Sequence, residues 1–228
     1  MKKAFTMIEL IFVIVVIGIL AAVMIPSTRT NPLQEAAIQV LSHIRYTQHL
    51  ALIDDKYDSN DTNWYKGRWQ IEFSNSNAYA DNKPGYTIFA DQDYGSGYGG
   101  NAIEDEMAKN PENSNQVMTG GYGSTAAINY TNSGFKGMKK LNLGNSYGVA
   151  SVEFSNECDG SNGSALRISF DSLGRPFEGD SSGLTSPYTA ATDRLIRDDC
   201  NIVLKDSADH NVTITIRPET GYASITQY

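Results

Sequence analysis

Apolar residues follow three different rhythms along this chain. From Phe5 to Ile25 they run almost without a break, FTMIELIFVIVVIGILAAVMI, 21 residues in which Glu9 is the one charge. A helix rises about 1.5 Å per residue, so a run of that length can cross a hydrocarbon layer of about 30 Å. After Pro26 and Pro32 the period becomes 3.6. Leu33, Ala37, Val40, Ile44 and Ala51, with Ala36, Leu41 and Leu50 beside them, mark one face of an amphipathic helix that ends near Ile53, where DDKYDSNDTN begins. Proline at 26 has no amide proton and predicts a kink where the apolar helix passes into the amphipathic one.

Beyond about residue 57 the period falls to two. RWQIEFS (68–74), YTIFAD (86–91), SVEFS (151–155), LRISFD (166–171), CNIVLKD (200–206) and NVTITIR (211–217) alternate as strands do. In the last of these Val212, Ile214 and Ile216 predict one face, and Thr213 and Thr215 the other. PETG (218–221) turns the chain back into YASIT and predicts a C-terminal hairpin. Thirteen of the 20 glycines lie between residues 95 and 163, which predicts long loops with at most short strands there. The fold class expected is α+β: a long N-terminal helix, part membrane span and part amphipathic, packed on an antiparallel β-sheet head.

Lys2 and Lys3 precede the apolar run, so the positive-inside rule keeps the N-terminus cytoplasmic and sends everything after Pro26 outward. A cleaved secretory signal would need a small-residue site after the run, and LAAVMIPSTRT offers one only weakly. Glu9 also sits badly in such a segment. A carboxylate at mid-membrane costs about 2.5–3.5 kcal/mol, so it needs a partner or a task.

The residues KKAFTMIELIFVIVVIGILAAVMIP resemble the leader and first helix of type IV prepilins and type II secretion pseudopilins. The resemblance implies cleavage between Ala4 and Phe5 by a prepilin peptidase, N-methylation of the new Phe5 amine, and assembly through the N-terminal helix. Cutting after Ala4 makes Glu9 the fifth residue (9 − 4) and Pro26 the twenty-second (26 − 4), both offsets of the family. Ala4 departs from the glycine most members carry before the cut. The organisation implied is a leader (1–4), a transmembrane and filament-core helix (5–26), an amphipathic stalk (27–56) and a periplasmic β-rich head (57–228). Its setting would be the inner membrane, single-pass, and then a pilus or pseudopilus. Expected partners are other subunits, the peptidase and an inner-membrane assembly platform. Glu9 would meet the Phe5 amine of a neighbour in the filament.

Further along, ISFDSLGRPFEG, a cysteine-bearing strand and VTITIRPETGYASI resemble the closing strands of minor pseudopilins of the GspH/FimT type. YTIFADQDYGSGYGGNAIEDEM is similar to that group's aromatic strand and Asp-rich loop. A major pilin is the competing reading.

Composition changes the picture in three places. The formal charge of −8 becomes −10 once Lys2 and Lys3 are removed, 16 basic residues against 26 acidic, and such a head repels nucleic acid in general. A DNA-binding minor pilin would therefore need a local basic patch. Arg194, Arg197 and Arg217 are its candidates, with Asp193, Asp198 and Asp199 close by in sequence. Cys158 and Cys200, 42 positions apart behind an export segment, read as one disulfide or as two unrelated buried thiols.

Asp91, Asp93, Glu104, Asp105 and Glu106 lie at short spacing around glycines. They are either a Ca²⁺ site outside the EF-hand pattern or a solvated acidic loop. Tyr94, Tyr98 and Tyr122 are candidates for partner contacts or for loop packing. His43, His49 and His210 have neither metal-ligand nor catalytic spacing, and the glycine runs GYGGN and TGGYGS lack the Lys-Ser/Thr of a phosphate cradle. The expectation is a non-catalytic structural subunit, with an anchored enzyme a distant third reading.

Overall fold

The computed structural model describes residues 6–24, 31–93, 95, 97–123, 125–156, 158, 166–188 and 194–227. The chain divides into two compact units, Met1–Asn31 and Pro32–Tyr228. Helices and antiparallel sheets together make it an α+β protein.

The first unit contains helix α1, Met7–Met24, 18 residues long. Its length is about 27 Å, a few ångströms under a bilayer core of about 30 Å. Among the described residues no helix is long and apolar enough to cross a membrane. The described helix lies within the span 5–26 expected from sequence. Phe5, Pro26, the leader 1–4 and the expected kink lie outside the described residues.

The second unit is organised by helix α2, Pro32–Ile53, which buries Leu33, Ala36, Ala37, Val40, Ile44, Thr47 and Ala51. These positions recur every three or four residues and so share one face. Proline stands first, where its missing amide proton would have had no intrahelical acceptor. Two four-stranded sheets meet that face. The first runs β2–β1–β6–β7, with β1 at Trp69–Ser74, β2 at Gly85–Ala90, β6 at Leu166–Phe170 and β7 at Pro176–Glu178. The second runs β10–β9–β8–β5, with β5 at Val149–Asn156, β8 at Cys200–Asp206, β9 at Asn211–Ile216 and β10 at Ala223–Gln227. Helix α2 packs against β1 and β6 of one and β8, β9 and β10 of the other.

The glycine-rich stretch is more ordered than its composition predicts. It holds the short strands β3 (Lys109–Asn110) and β4 (Asn113–Val117) and the short helix α3 (Leu143–Tyr147). It also covers the outer edge of β2: Ala108 N–H donates to Ile88 O and Ile88 N–H to Met118 O, both at 2.9 Å. An uncovered edge strand invites pairing with another chain. Here all six residues of β2 are buried, where alternation predicted three. Thr213 and Thr215 of β9 are buried as well, rather than facing solvent. Thr215 Oγ1 donates to Asn201 Oδ1 at 2.7 Å, which satisfies the hydroxyl.

Polar contacts fix the sheets to one another and to α2. The Asn75 amide pairs with both backbone groups of Val152, donating to its O at 2.8 Å and accepting from its N–H at 2.6 Å, so the end of β1 is tied to β5. Cys158 and Cys200 form a disulfide with Cα atoms 5.2 Å apart, joining the segment after β5 to the start of β8. A loop of that size contributes about 4 kcal/mol in the chain-entropy description. Gln48 of α2 donates from Nε2 to Gly174 O and Thr220 O, both at 2.8 Å. The SLGRP and PETG turns, distant in sequence, are thereby brought together on one helix residue.

Gly221 sits in that junction at φ +61°, and a Cβ there would lie 2.4 Å from Gly174 O. Gly148 also has positive φ, +71°, but nothing lies within 4 Å of its would-be Cβ. Gly148→Ala should therefore cost only the backbone term, about 1 kcal/mol, whereas Gly221→Ala should cost about 2 kcal/mol or more. Urea unfolding of the two variants side by side checks the order; equal losses would show that the turn junction is not tightly packed.

Candidate functional site

Three groups of residues are positioned by this architecture. The first begins α1. Thr6 N–H donates to Glu9 Oε2 at 2.9 Å and Thr6 Oγ1 donates to the same oxygen at 2.8 Å, while Glu9 N–H reaches back to Thr6 Oγ1 at 3.4 Å. This is a capping box: hydroxyl and carboxylate exchange hydrogen bonds with the first free amides of the helix. The T-x-x-E spacing at 6–9 was readable from sequence and went unread. It gives Glu9 a local task, closing a helix start whose amides would otherwise be unsatisfied. From Met7 to Leu20 every described large apolar side chain of α1 is exposed, Val16 least at 41%. Ala4, Phe5 and Pro26 lie outside the described residues.

The second group is the acidic loop, whose carboxylates are occupied by the protein itself. Asp91 Oδ2 accepts from Gly100 N–H at 2.7 Å, and Asp93 Oδ1 from Gly95 N–H and Gly97 N–H at 2.6 and 2.9 Å. Glu106 accepts from Gln92 N–H and Ile103 N–H, both at 2.9 Å. Glu104 pairs with Lys136 at 2.7 Å, and Asp105 is exposed. Burial pushes Asp91 and Glu106 above the usual carboxylate range. Among the described residues, no three His, Cys, Asp or Glu side chains gather where they would hold a metal ion. Asp91, Asp93, Glu104 and Glu106 thus act as loop staples.

That loop is anchored by a residue the sequence reading passed over. Arg167 of β6 is 3% exposed; Nη2 donates to Glu72 Oε2 at 2.6 Å, Nη1 to Gly100 O at 2.8 Å, and Nη1 lies 3.2 Å from Asp180 Oδ1. Burial raises the Glu72 pKa despite the arginine beside it. Tyr122 OH donates to Glu72 Oε2 at 3.0 Å and Tyr98 OH to Asp61 Oδ2 at 2.6 Å, so both tyrosines are engaged in loop packing. Tyr94 lies outside the described residues. An arginine inside an alternating strand, LRISF, was the available signal.

The third group lies on α2. His43 Nδ1 is 2.6 Å from Tyr86 OH, and Gln39 Nε2 donates to the same hydroxyl at 2.9 Å. His49 is exposed on the same helix, and His210 Nδ1 pairs with Asp206 at 2.9 Å. The arginines a DNA-binding surface would use are engaged or dispersed. Arg217 pairs with Asp199, and Arg194 Nη1 donates to Asp180 O at 2.6 Å. Arg197 is exposed, and Asp193 lies outside the described residues. Comparisons with protein-family models, with curated proteins and with solved structures gave no match to this chain.

Burial lowers the His43 pKa from 6.5 to about 4. Between those values the unfolded chain binds a proton that the folded chain does not, so stability falls as pH drops through this window. The loss should approach about 3 kcal/mol at pH 4. The raised carboxylates Glu72, Asp91 and Glu106 act in the opposite direction but titrate equally in a variant. The difference in unfolding free energy between wild type and His43→Gln should therefore shift steadily against wild type from pH 7 to pH 4.5; a constant difference would show that His43 titrates normally.

Proposed function

We propose that the chain is a non-catalytic structural subunit of a type IV pilus or type II secretion pseudopilus, of the minor type, cut between Ala4 and Phe5, methylated at Phe5 and polymerised through its N-terminal helix. It is held in the inner membrane with its head in the periplasm until it assembles with neighbouring subunits. The observation that carries this reading is α1. A helix apolar on every side cannot satisfy itself in water and needs an apolar surrounding on all faces, whether lipid or a bundle of identical helices. Its capping box suits both settings, because the first amides of a helix in a low-dielectric medium have no water to bond. A disulfide-closed head fits a compartment outside the reducing cytoplasm.

On this reading Glu9 has two tasks: it caps its own helix and, in the filament, offers its charge to the Phe5 amine of a neighbour. Leaving such a buried amine unpaired costs about 3–5 kcal/mol per subunit. Glu9→Gln and Glu9→Val separate the tasks, since glutamine keeps the capping geometry and valine keeps neither. Both variants should reach the membrane and be processed, and both should be depleted from the filament fraction. Incorporation of Glu9→Gln at wild-type levels would assign Glu9 to capping alone, and normal incorporation of both would remove it from assembly.

A further inference from the structure

A trench crosses the second unit between α2, the β3–β4 hairpin and the segment 135–140. It consists of two adjoining hollows of about 320 and 400 Å³ that share Asn110, Glu112, Met138 and Lys140. Its lining is mixed, and the apolar part is adaptable. Met118 is buried and Met138 half-buried, and thioether side chains repack around varied partners at low cost. Tyr46 lines one hollow and Phe135 the other, so each end carries an aromatic wall.

The rim is basic on a chain whose net charge is −8. Lys139 and Lys140 are exposed, and neither has an ion-pair partner among the described residues. Tyr46 OH donates to the Lys109 carbonyl at 3.3 Å, which ties the hairpin to α2. Against the two lysines stands one rim carboxylate, Glu112. Lys136 and Lys205, by contrast, pair with Glu104 at 2.7 Å and with Glu153 at 2.6 Å. Unpaired positive charge beside a partly apolar slot on an acidic protein selects for an anionic partner with some apolar side chains.

We propose that this trench docks a linear segment of another protein in which carboxylates alternate with apolar residues. Apolar side chains seat on Met138 between the two aromatic walls, and carboxylates meet Lys139 and Lys140. Two adjoining hollows suit a linear occupant better than a compact ligand, which one of them would hold. Two lysines fall short of the phosphate track that nucleic acid binding uses, and the overall charge opposes it. The proposal stands independently of whether the chain polymerises.

The test is fluorescence anisotropy on the full chain in detergent micelles, with empty micelles as blank. Three labelled peptides of equal length serve as probes, alternating Asp with Leu, Lys with Leu, and Asp with Ser. The Asp–Leu peptide should bind at least tenfold more tightly than the other two. Lys139→Glu combined with Lys140→Glu should weaken it at least tenfold, and because both residues are exposed the fold should be kept, as circular dichroism will show. No binding of the Asp–Leu peptide, equal binding of all three, or indifference to the double substitution would overturn the proposal. Tighter binding of single-stranded oligothymidine than of the Asp–Leu peptide would overturn it in favour of a nucleic-acid surface.

Discussion

One helix face holds the head together. The stripe Ala36, Ala37, Val40, Ile44, Thr47 and Ala51 of α2 is almost wholly buried, and strands of both four-stranded sheets rest on it. Alanines at the centre of that stripe let the backbones approach closely, while Val40 and Ile44 supply the apolar volume. Each buried aliphatic side chain contributes about 1.5–3 kcal/mol. The remaining ties presuppose this arrangement. Gln48 can join two turns only because β6, β9 and β10 already lie along the helix, and Asn75 can clasp Val152 only because the sheets meet at their ends.

The period-2 strands were legible in sequence because each has a pattern of its own: β1, β6, β8 and β9 lie within a residue of where alternation puts them. Helix α2 was legible to its last residue for the same reason. What escaped was set by tertiary pairing. β7 is three residues opened by a proline, and β3 and β4 are polar, so none carries a hydrophobic rhythm. β2 appeared half-exposed because nothing local reveals that residues 107–108 and 118–120 cover its edge. Of the candidate residues, the disulfide was legible from the cysteine count, since the chain has two and the structure joins them. The fate of the acidic loop was not, because backbone amides that occupy carboxylates leave no mark in composition. The Thr6–Glu9 box was local and legible.

Charge in this protein is spent inwardly in one region and left open in another. Around Arg167, carboxylates, tyrosines and amides of the long loops close on one another, which ties Gly100, Tyr122 and Asp180 to β1 and β6. Removing one member of such a buried set costs more than the set contributes as a whole, because the partner is left uncompensated. Around Lys139 and Lys140 no such closure exists among the described residues.

The proposed role requires α1 to be the mature N-terminal helix of an assembling subunit, and the state of the chain's first residue tests that most directly. Intact-mass measurement of the chain isolated from membranes should find a protein that begins at Phe5, lacks Met1–Ala4 and carries one added methyl group on its α-amine. A chain that retains Met1–Ala4, or one cut beyond Pro26 so that α1 is lost, would contradict it.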